Sequence, residues 1–243
     1  MQMIGLGLAV ALALVHAVLP QVNIAAVIPV RRCFSFAGGV SIGFIFLSVL
    51  PTLGRSQTRL DQAAIALLQP LENPIYLLAL LGLTVFYGID RLVLTAPRYS
   101  RTSQAMNRAS QLVFWIHISA YAMLNAIFGY MLLGLSNHNL GQYLLYFVAV
   151  ALHFLIIDRG LRSHHPILYD RQGRWLLSGA LLAGAIAGAV AELSETAIAL
   201  LWSFLAGSTL LNILKRELPD AQKSCFWSFL AGATLYAGLL WLS

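Results

Sequence analysis

SFAGGVSIGFIFLSVLP, residues 35–51, carries no charged side chain. Wound at 1.5 Å per residue it is about 25 Å long, close to the roughly 30 Å hydrocarbon core of a bilayer. Runs of the same kind recur along the whole chain, each bounded by charge, Pro or Gly. They predict helices over roughly 3–28, 33–53, 74–94, 112–135, 142–161, 175–192, 196–214 and 225–242. Helices are the economical choice in lipid because they satisfy their own backbone hydrogen bonds. Eight spans of about 20 residues use about 160 positions. The rest of the 243 residues suffices only for short loops, so one transmembrane domain over 1–243 is expected.

Composition agrees. Hydrophobic residues make up 59% of the chain and charged ones 10%, where an ordinary soluble domain carries about 25% charged. That excludes a soluble globular domain, a disordered chain and a disulfide scaffold. Cys33 and Cys225 fit no zinc or redox spacing. The first 20 residues, MQMIGLGLAVALALVHAVLP, lack a basic leading region, so a first membrane span is expected there rather than a cleaved signal.

Basic residues orient the bundle. If eight spans alternate, Arg31, Arg32, Arg91, Arg98, Arg101, Arg108, Arg159, Arg162, Arg171, Arg174, Lys215, Arg216 and Lys223 share one side, and only Arg55 and Arg59 the other. The positive-inside rule makes the first side cytoplasmic and puts both termini outside. The net charge of +6 is then a topology signal that suits anionic lipid. It is no nucleic-acid patch, since the loops are short and carry no stacking aromatics among the basic residues.

The opening segment has a counterpart. SFLAGSTLLNILKRELP, residues 203–219, aligns with 35–51 without a gap. Ser35-Phe36 falls on Ser203-Phe204, Gly39 on Gly207 and Leu50-Pro51 on Leu218-Pro219. The second and seventh spans run in opposite directions, so the match predicts an inverted-topology repeat. WSFLAGSTL from Trp202 also returns as WSFLAGATL from Trp227. In the sixth span Ala180, Gly184 and Gly188 form a small-residue stripe suited to close helix packing.

Ionisable groups inside a span are costly and are the default functional candidates. They are few: His16 in the first span; His117, with Tyr121 and Asn125, in the fourth; His153, with Tyr146, in the fifth; Asp90 and Asp158 toward cytoplasmic ends; Glu192 and Glu195 at an outer turn. His117, Tyr121 and Asn125 lie at i, i+4 and i+8, on one helix face. Tyr146 and His153 form a comparable stripe. The short SNHNLG connection, residues 136–141, makes the fourth and fifth spans antiparallel neighbours. His117 and His153 are then expected at similar depth, about 10 Å from the cytoplasmic surface. Facing imidazoles suit a borderline divalent metal such as zinc.

Taken together, these segments resemble the Zrt/Irt-like (ZIP) family of divalent-metal transporters. The resemblance rests on the Gly-rich second span ending in Leu-Pro, FYGIDRLVL (86–94) at the end of the third, and SFLAGSTLLNILKRELP as the seventh. It implies an all-α polytopic bundle of eight transmembrane helices in a 3+2+3 inverted repeat. It also implies a metal site between the fourth and fifth spans. The family places a His with a carboxylate four residues later on each. His117 and His153 match the His positions; Tyr121 and Ile157 stand where the carboxylates would be, and Asp158 lies one position further on. The family's His-rich stretch is absent from APRYSRTSQAMNRASQ (96–111), and the adjacent His164 and His165 read as a solvated loop pair.

The resulting expectation is a transporter of zinc, iron or manganese with a reduced site of His117, His153 and Asp158. Tyr121, Asn125 and Tyr146 would line its path. The alternative is a transport-inactive ZIP-fold subunit, scaffold or sensor in a membrane complex. The partners expected are the bilayer, a divalent cation, and a second copy of the chain or another membrane protein. An intramembrane metallohydrolase lacks a third ligand at the right depth, so no enzyme is expected. No cofactor motif is present; without a Walker loop or a Rossmann fingerprint, ATP coupling within the chain is not expected.

Overall fold

The structure, a computed structural model, describes residues 2–18, 30–63, 71–95, 104–134, 140–217 and 225–242. Among the described residues there is no strand. Helices α1 (Gln2–Val18), α2 (Val30–Phe44), α3 (Leu50–Ala63), α4 (Pro74–Thr95), α5 (Gln104–Gly134), α6 (Leu140–His164), α7 (Pro166–Leu168), α8 (Arg174–Val190), α9 (Glu195–Asn212) and α10 (Phe226–Leu242) follow in order. Six helical stretches are long and apolar enough to cross a membrane, and Met3–Val18 and Phe226–Leu242 are shorter apolar helices. The chain is an integral, α-helical membrane protein.

Three π-helical turns join neighbouring elements: Ile45–Val49 between α2 and α3, Tyr169–Gly173 between α7 and α8, and Ile213–Glu217 after α9. They correct several predicted ends. The second span was expected to stop near 53, at Pro51. Proline lacks an N–H and crowds the carbonyl four residues earlier, which ordinarily breaks a helix. Here the turn before it widens, Leu50 N–H reaching the Ile45 carbonyl, and the helix continues to Ala63. The added turns are polar. Buried Gln57 accepts from Ile75 N–H at 3.0 Å, satisfying one of the open amides at the start of α4. The sixth span was expected from 175 but begins at Pro166, where a missing N–H costs nothing. Ser194 caps α9, accepting from Ala197 N–H at 3.2 Å. Residues 19–28 of the first predicted span, Arg98, Arg101, Lys223, residues 136–139 of the SNHNLG connection and the Leu218-Pro219 end of the repeat lie outside the described residues.

Three close crossings organise the bundle, and all are built alike. Gly39 of α2 lies on the Phe229 carbonyl of α10, while Gly232 of α10 lies on the Phe36 carbonyl of α2. Gly82 of α4 meets the Phe204 carbonyl of α9, and Gly207 of α9 the Ala79 carbonyl of α4. Gly129 of α5 meets the Leu181 carbonyl of α8, and Gly184 of α8 the Ala126 carbonyl of α5. In each pair a glycine touches the carbonyl three residues before its partner glycine. A Cβ at any of the six would occupy the carbonyl's place, so only glycine permits the approach. Gly188 extends the α8 stripe onto Tyr130 and Leu133 of α5.

Residue pairings fix the directions. Ser35 meets Cys225 and Ser48 meets Tyr236, so α2 and α10 run parallel. Ala79 against Gly207 and Asp90 against Lys215 make α4 and α9 parallel. Gly5 against Tyr143 and His16 against Asp158 make α1 and α6 parallel. Leu132 against Tyr143 and Phe128 against Tyr146 make α5 and α6 antiparallel. Contacts pair α5 with α8, α2 with α10 and α4 with α9; α1 joins α8, α6 bridges α1 to α2 and α10, and a seam runs between α5 and the α4–α9 pair.

Candidate functional site

Three groups of buried polar side chains line α5 and its neighbours. The most enclosed is His16, Asp158 and Asn125, from α1, α6 and α5, with relative exposures of 0%, 1% and 2%. His16 Nδ1 lies 2.8 and 2.9 Å from the two Asp158 carboxylate oxygens. His16 Nε2 lies 2.7 Å from Asn125 Oδ1. Asn125 Nδ2 donates to the Tyr121 carbonyl at 2.8 Å. The His16 ring leans on Phe154 at 4.4 Å between centroids. Just beyond it, Arg174 donates to the Ala17 carbonyl at 3.0 Å, capping the C-terminal end of α1. Ser178 adds a bond to the Ala13 carbonyl at 2.9 Å. Two side chains of α8 thus hold the end of α1 that carries His16.

The second group crosses the seam. Tyr121 of α5 donates through its hydroxyl to Asn212 Oδ1 of α9 at 2.5 Å, and Asn212 Nδ2 donates to the Ser208 carbonyl at 3.0 Å. The third reaches the surface. Asp90 of α4 is buried; Lys215 Nζ donates to its Oδ2 at 2.9 Å, and His117 Nε2 of α5 lies 3.6 Å from its Oδ1. Lys215 is 37% exposed, so the cluster reaches the surface of the protein. The His117 ring also sits 5.2 Å from Tyr121 and 6.5 Å from His164.

The one-face spacing of His117, Tyr121 and Asn125 therefore reaches three different helices. Four residues turn a helix by about 400°, so the stripe drifts about 40° per step. It moves from α4 at His117, to α9 at Tyr121, to α1 at Asn125. Along the axis it covers about 12 Å.

The expected fifth-span stripe meets α5 elsewhere. Tyr146 donates weakly to the Phe128 carbonyl at 3.4 Å. The His153 ring lies 5.9 Å from the Phe128 ring and 6.2 Å from Phe154. His117 thus lies beside Asp90, and His153 beside the Phe128 and Phe154 rings. Asp158, expected as a third ligand beside them, has both oxygens on His16. Among the described residues no group of three or more His, Cys, Asp or Glu is placed to hold a metal ion. Sequence reasoning noted His16 and Asp90 but gave neither a role. Their partners are 142 and 125 residues away, His16 with Asp158 and Asp90 with Lys215.

Outside the spans, burial and the neighbouring His164 and His117 hold the His165 imidazole below its ordinary pKa. Hydrogen bonds from Ser228 hold the Cys225 thiol below its own.

Comparison with known proteins returns no match: no protein-family model, no curated protein and no solved structure is similar to the chain.

Proposed function

We propose that the chain is a ZIP-like membrane protein that moves a divalent cation, with its site reduced to His117 and Asp90. The observation that carries this reading is the run of buried ionisable and amide groups along α5, which begins at water beside Lys215 and ends at Asp158. Such groups are expensive in a bilayer and are kept where ions pass. His117 supplies an imidazole nitrogen and Asp90 a carboxylate, a borderline and a hard donor suited to zinc, iron or manganese.

In this reading eight spans alternate through the membrane, and the first three are repeated, inverted, as the last three. The parallel and antiparallel pairings support the alternation. The glycine crossings support the repeat. Gly39 and Gly207 were aligned from sequence, and each occupies the same place in its crossing, Gly39 against α10 and Gly207 against α4. The excess of Arg and Lys at the loops beside α4, α5, α6 and α9 supports a cytoplasmic location for that end, with both termini outside.

Uptake of zinc, iron or manganese into vesicles reconstituted with the purified protein tests the proposal. Uptake is expected for at least one of these ions, with a loss of tenfold or more in His117→Ala and Asp90→Asn. That no group of three or more His, Cys, Asp or Glu among the described residues is placed to hold a metal favours a second reading, a ZIP-fold subunit, scaffold or sensor without transport. No uptake of any of the three ions, with recovery at fixed stoichiometry with another membrane protein, would establish it and refute the first.

A further inference from the structure

We propose that a groove between α5, α8 and α9 binds an acyl chain of a membrane phospholipid, and that Glu192 and Glu195 at its mouth select a headgroup bearing an ammonium. The proposal needs only that these helices lie in a bilayer; it is independent of the transport reading.

The groove follows from how the three helices are spaced. α5 and α8 are drawn together where Gly184 meets the Ala126 carbonyl. Two hydrogen-bonded ties hold α5 to the α9 side. At one height Tyr121 donates to Asn212. At the other the Tyr130 hydroxyl donates to the Ala191 carbonyl at 3.0 Å and accepts from Leu193 N–H at 2.9 Å, which fastens α5 to the turn before α9. Between these heights Gly184 and Ala187 are too small to fill the seam. They form one wall, with Met123 and Ile127 of α5 and Leu201 and Phe204 of α9 as the others. The cavity volume is about 470 Å³, within the usual range of small-molecule sites. It has room for roughly fifteen methylene groups at about 30 Å³ each, the share a water takes in the liquid.

Depth and chemistry identify the occupant. From Met123 to Tyr130 is seven residues, about 10 Å, less than one leaflet's share of a roughly 30 Å core. The wall presents no polar surface. A buried water needs about two to four polar partners, so water does not fill this space. The groove is open on one side, and Met123, Ala187 and Leu193 at the opening are exposed. Beyond them the apolar surface continues through Ile186 and Val190, 58% and 79% exposed. In a bilayer that surface meets acyl chains, and a chain enters the groove sideways without leaving the hydrocarbon. No transfer from water drives it. It is held because three walls give it more dispersion contacts than a flat helix face does.

Charge at the mouth specifies the headgroup. The turn that closes the groove carries Glu192 and Glu195, both exposed. The ion pairs of the described residues involve neither. A chain running down the groove from this turn holds its headgroup at the level of these carboxylates. They attract an ammonium and repel an anionic headgroup, each with the modest strength of an exposed ion pair.

The test uses the purified protein in vesicles of equal phosphatidylethanolamine and phosphatidylglycerol, with a photoactivatable diazirine on the acyl chain of one lipid or the other. Cross-linked peptides are mapped by mass spectrometry. Ethanolamine-lipid adducts are expected to concentrate on residues 123–130, 184–187 and 201–204, about threefold or more above the other lipid-facing segments. Ala187→Phe fills the groove and should lower the adducts at 123–130 and 201–204 by about threefold or more. Ile186→Phe, one position earlier on the same helix and outside the groove, should not. Leu201→Trp fills the groove from the opposite wall and serves if Ala187→Phe does not elute as a monodisperse peak. The ethanolamine probe should label the groove about two- to fivefold more than the glycerol probe, and Glu192→Gln/Glu195→Gln should make them equal. Adducts spread evenly over the lipid-facing helices, or unchanged by the filling variants, overturn the lipid site. Equal labelling by the two probes, or a preference that survives Glu192→Gln/Glu195→Gln, overturns the headgroup selection. A disulfide-linked dimer formed by Met123→Cys and not by the unaltered protein, with the groove unlabelled, makes a second copy of the chain the occupant and overturns the proposal.

Discussion

Two glycines five residues apart on one helix are predicted to respond oppositely to the same substitution. A Cβ at Gly179 of α8 would meet nothing within 4 Å. A Cβ at Gly184 would lie 2.6 Å from the Ala126 carbonyl carbon and 2.8 Å from its Cα, with the carbonyl oxygen nearer still. Backbone cannot rotate aside as a side chain can, so α5 and α8 must part. Bringing the carbonyl carbon alone from 2.6 Å to an ordinary 3.4 Å takes roughly 0.8 Å, the nearer oxygen needs more, and a gap of even that size forfeits about a quarter to a half of each neighbouring dispersion contact. In lipid these contacts are the main force between helices.

Gly184→Ala is therefore expected to destabilise by about 1–3 kcal/mol, the usual cost of overpacking. Gly179→Ala is expected to stabilise by about 0.5–1 kcal/mol, because alanine has less backbone freedom to lose in a helix. The helix and the added methyl are the same in both, so the difference isolates the crossing. The assay is the thermal midpoint of the monodisperse elution peak in detergent, where the two variants are expected to differ by roughly 5–10 °C. A Gly184→Ala midpoint equal to or above that of Gly179→Ala would refute the reasoning. Gly129→Ala belongs to the same crossing, so its cost is expected not to add fully to that of Gly184→Ala.

Further outcomes follow from single contacts. Tyr121→Phe removes the donor to buried Asn212 Oδ1 and is expected to cost about 1–3 kcal/mol in the same assay. Asn212→Leu in the Tyr121→Phe background should recover part of that loss. The lowered pKa of His165 means that, between its folded value and the ordinary 6.5, the unfolded chain binds a proton the folded chain refuses. Stability is then complete above about pH 6.5 and falls as pH drops through this window, and His165→Gln should flatten that part of the midpoint-against-pH curve. With its thiol pKa lowered by Ser228, Cys225 should react with a maleimide at neutral pH. An impermeant reagent should reach it only in permeabilised cells if this end is cytoplasmic; labelling of intact cells would overturn the orientation.

Apolar periodicity located the six long apolar stretches and the two shorter ones, because a lipid-facing helix must be apolar over nearly its whole length. Its ends were less legible. Pro51 was read as a stop, and the polar residues 166–174 as a loop. Both are carried inside helices by π turns, which leave no signature in hydrophobicity. The site divided the same way. The spacing of His117, Tyr121 and Asn125 showed a shared face but not which helices it meets, since its 40° drift matters only once neighbours are placed. Asp158 was assigned to His117 and His153 by proximity in sequence. Its partner was not legible, because the first span was read to residue 28, which set His16 near mid-span and Asp158 near the end of the fifth.

The chain has nine acidic residues, and among the described residues only Asp90 and Asp158 are buried. Each is matched by basic groups from other helices, Asp90 by Lys215 and His117, Asp158 by His16. Both buried acids thus sit beside a basic group. A divalent cation gains little at Asp90 while Lys215 holds the same carboxylate. Lys215 can swing away, because its side chain is already partly exposed. If a divalent ion crosses this protein at His117 and Asp90, charge balance requires that displacement. Lys215→Met, which leaves Asp90 to His117 alone, should then raise the apparent cation affinity in vesicle uptake; an affinity equal to or below that of the unaltered protein would refute the displacement.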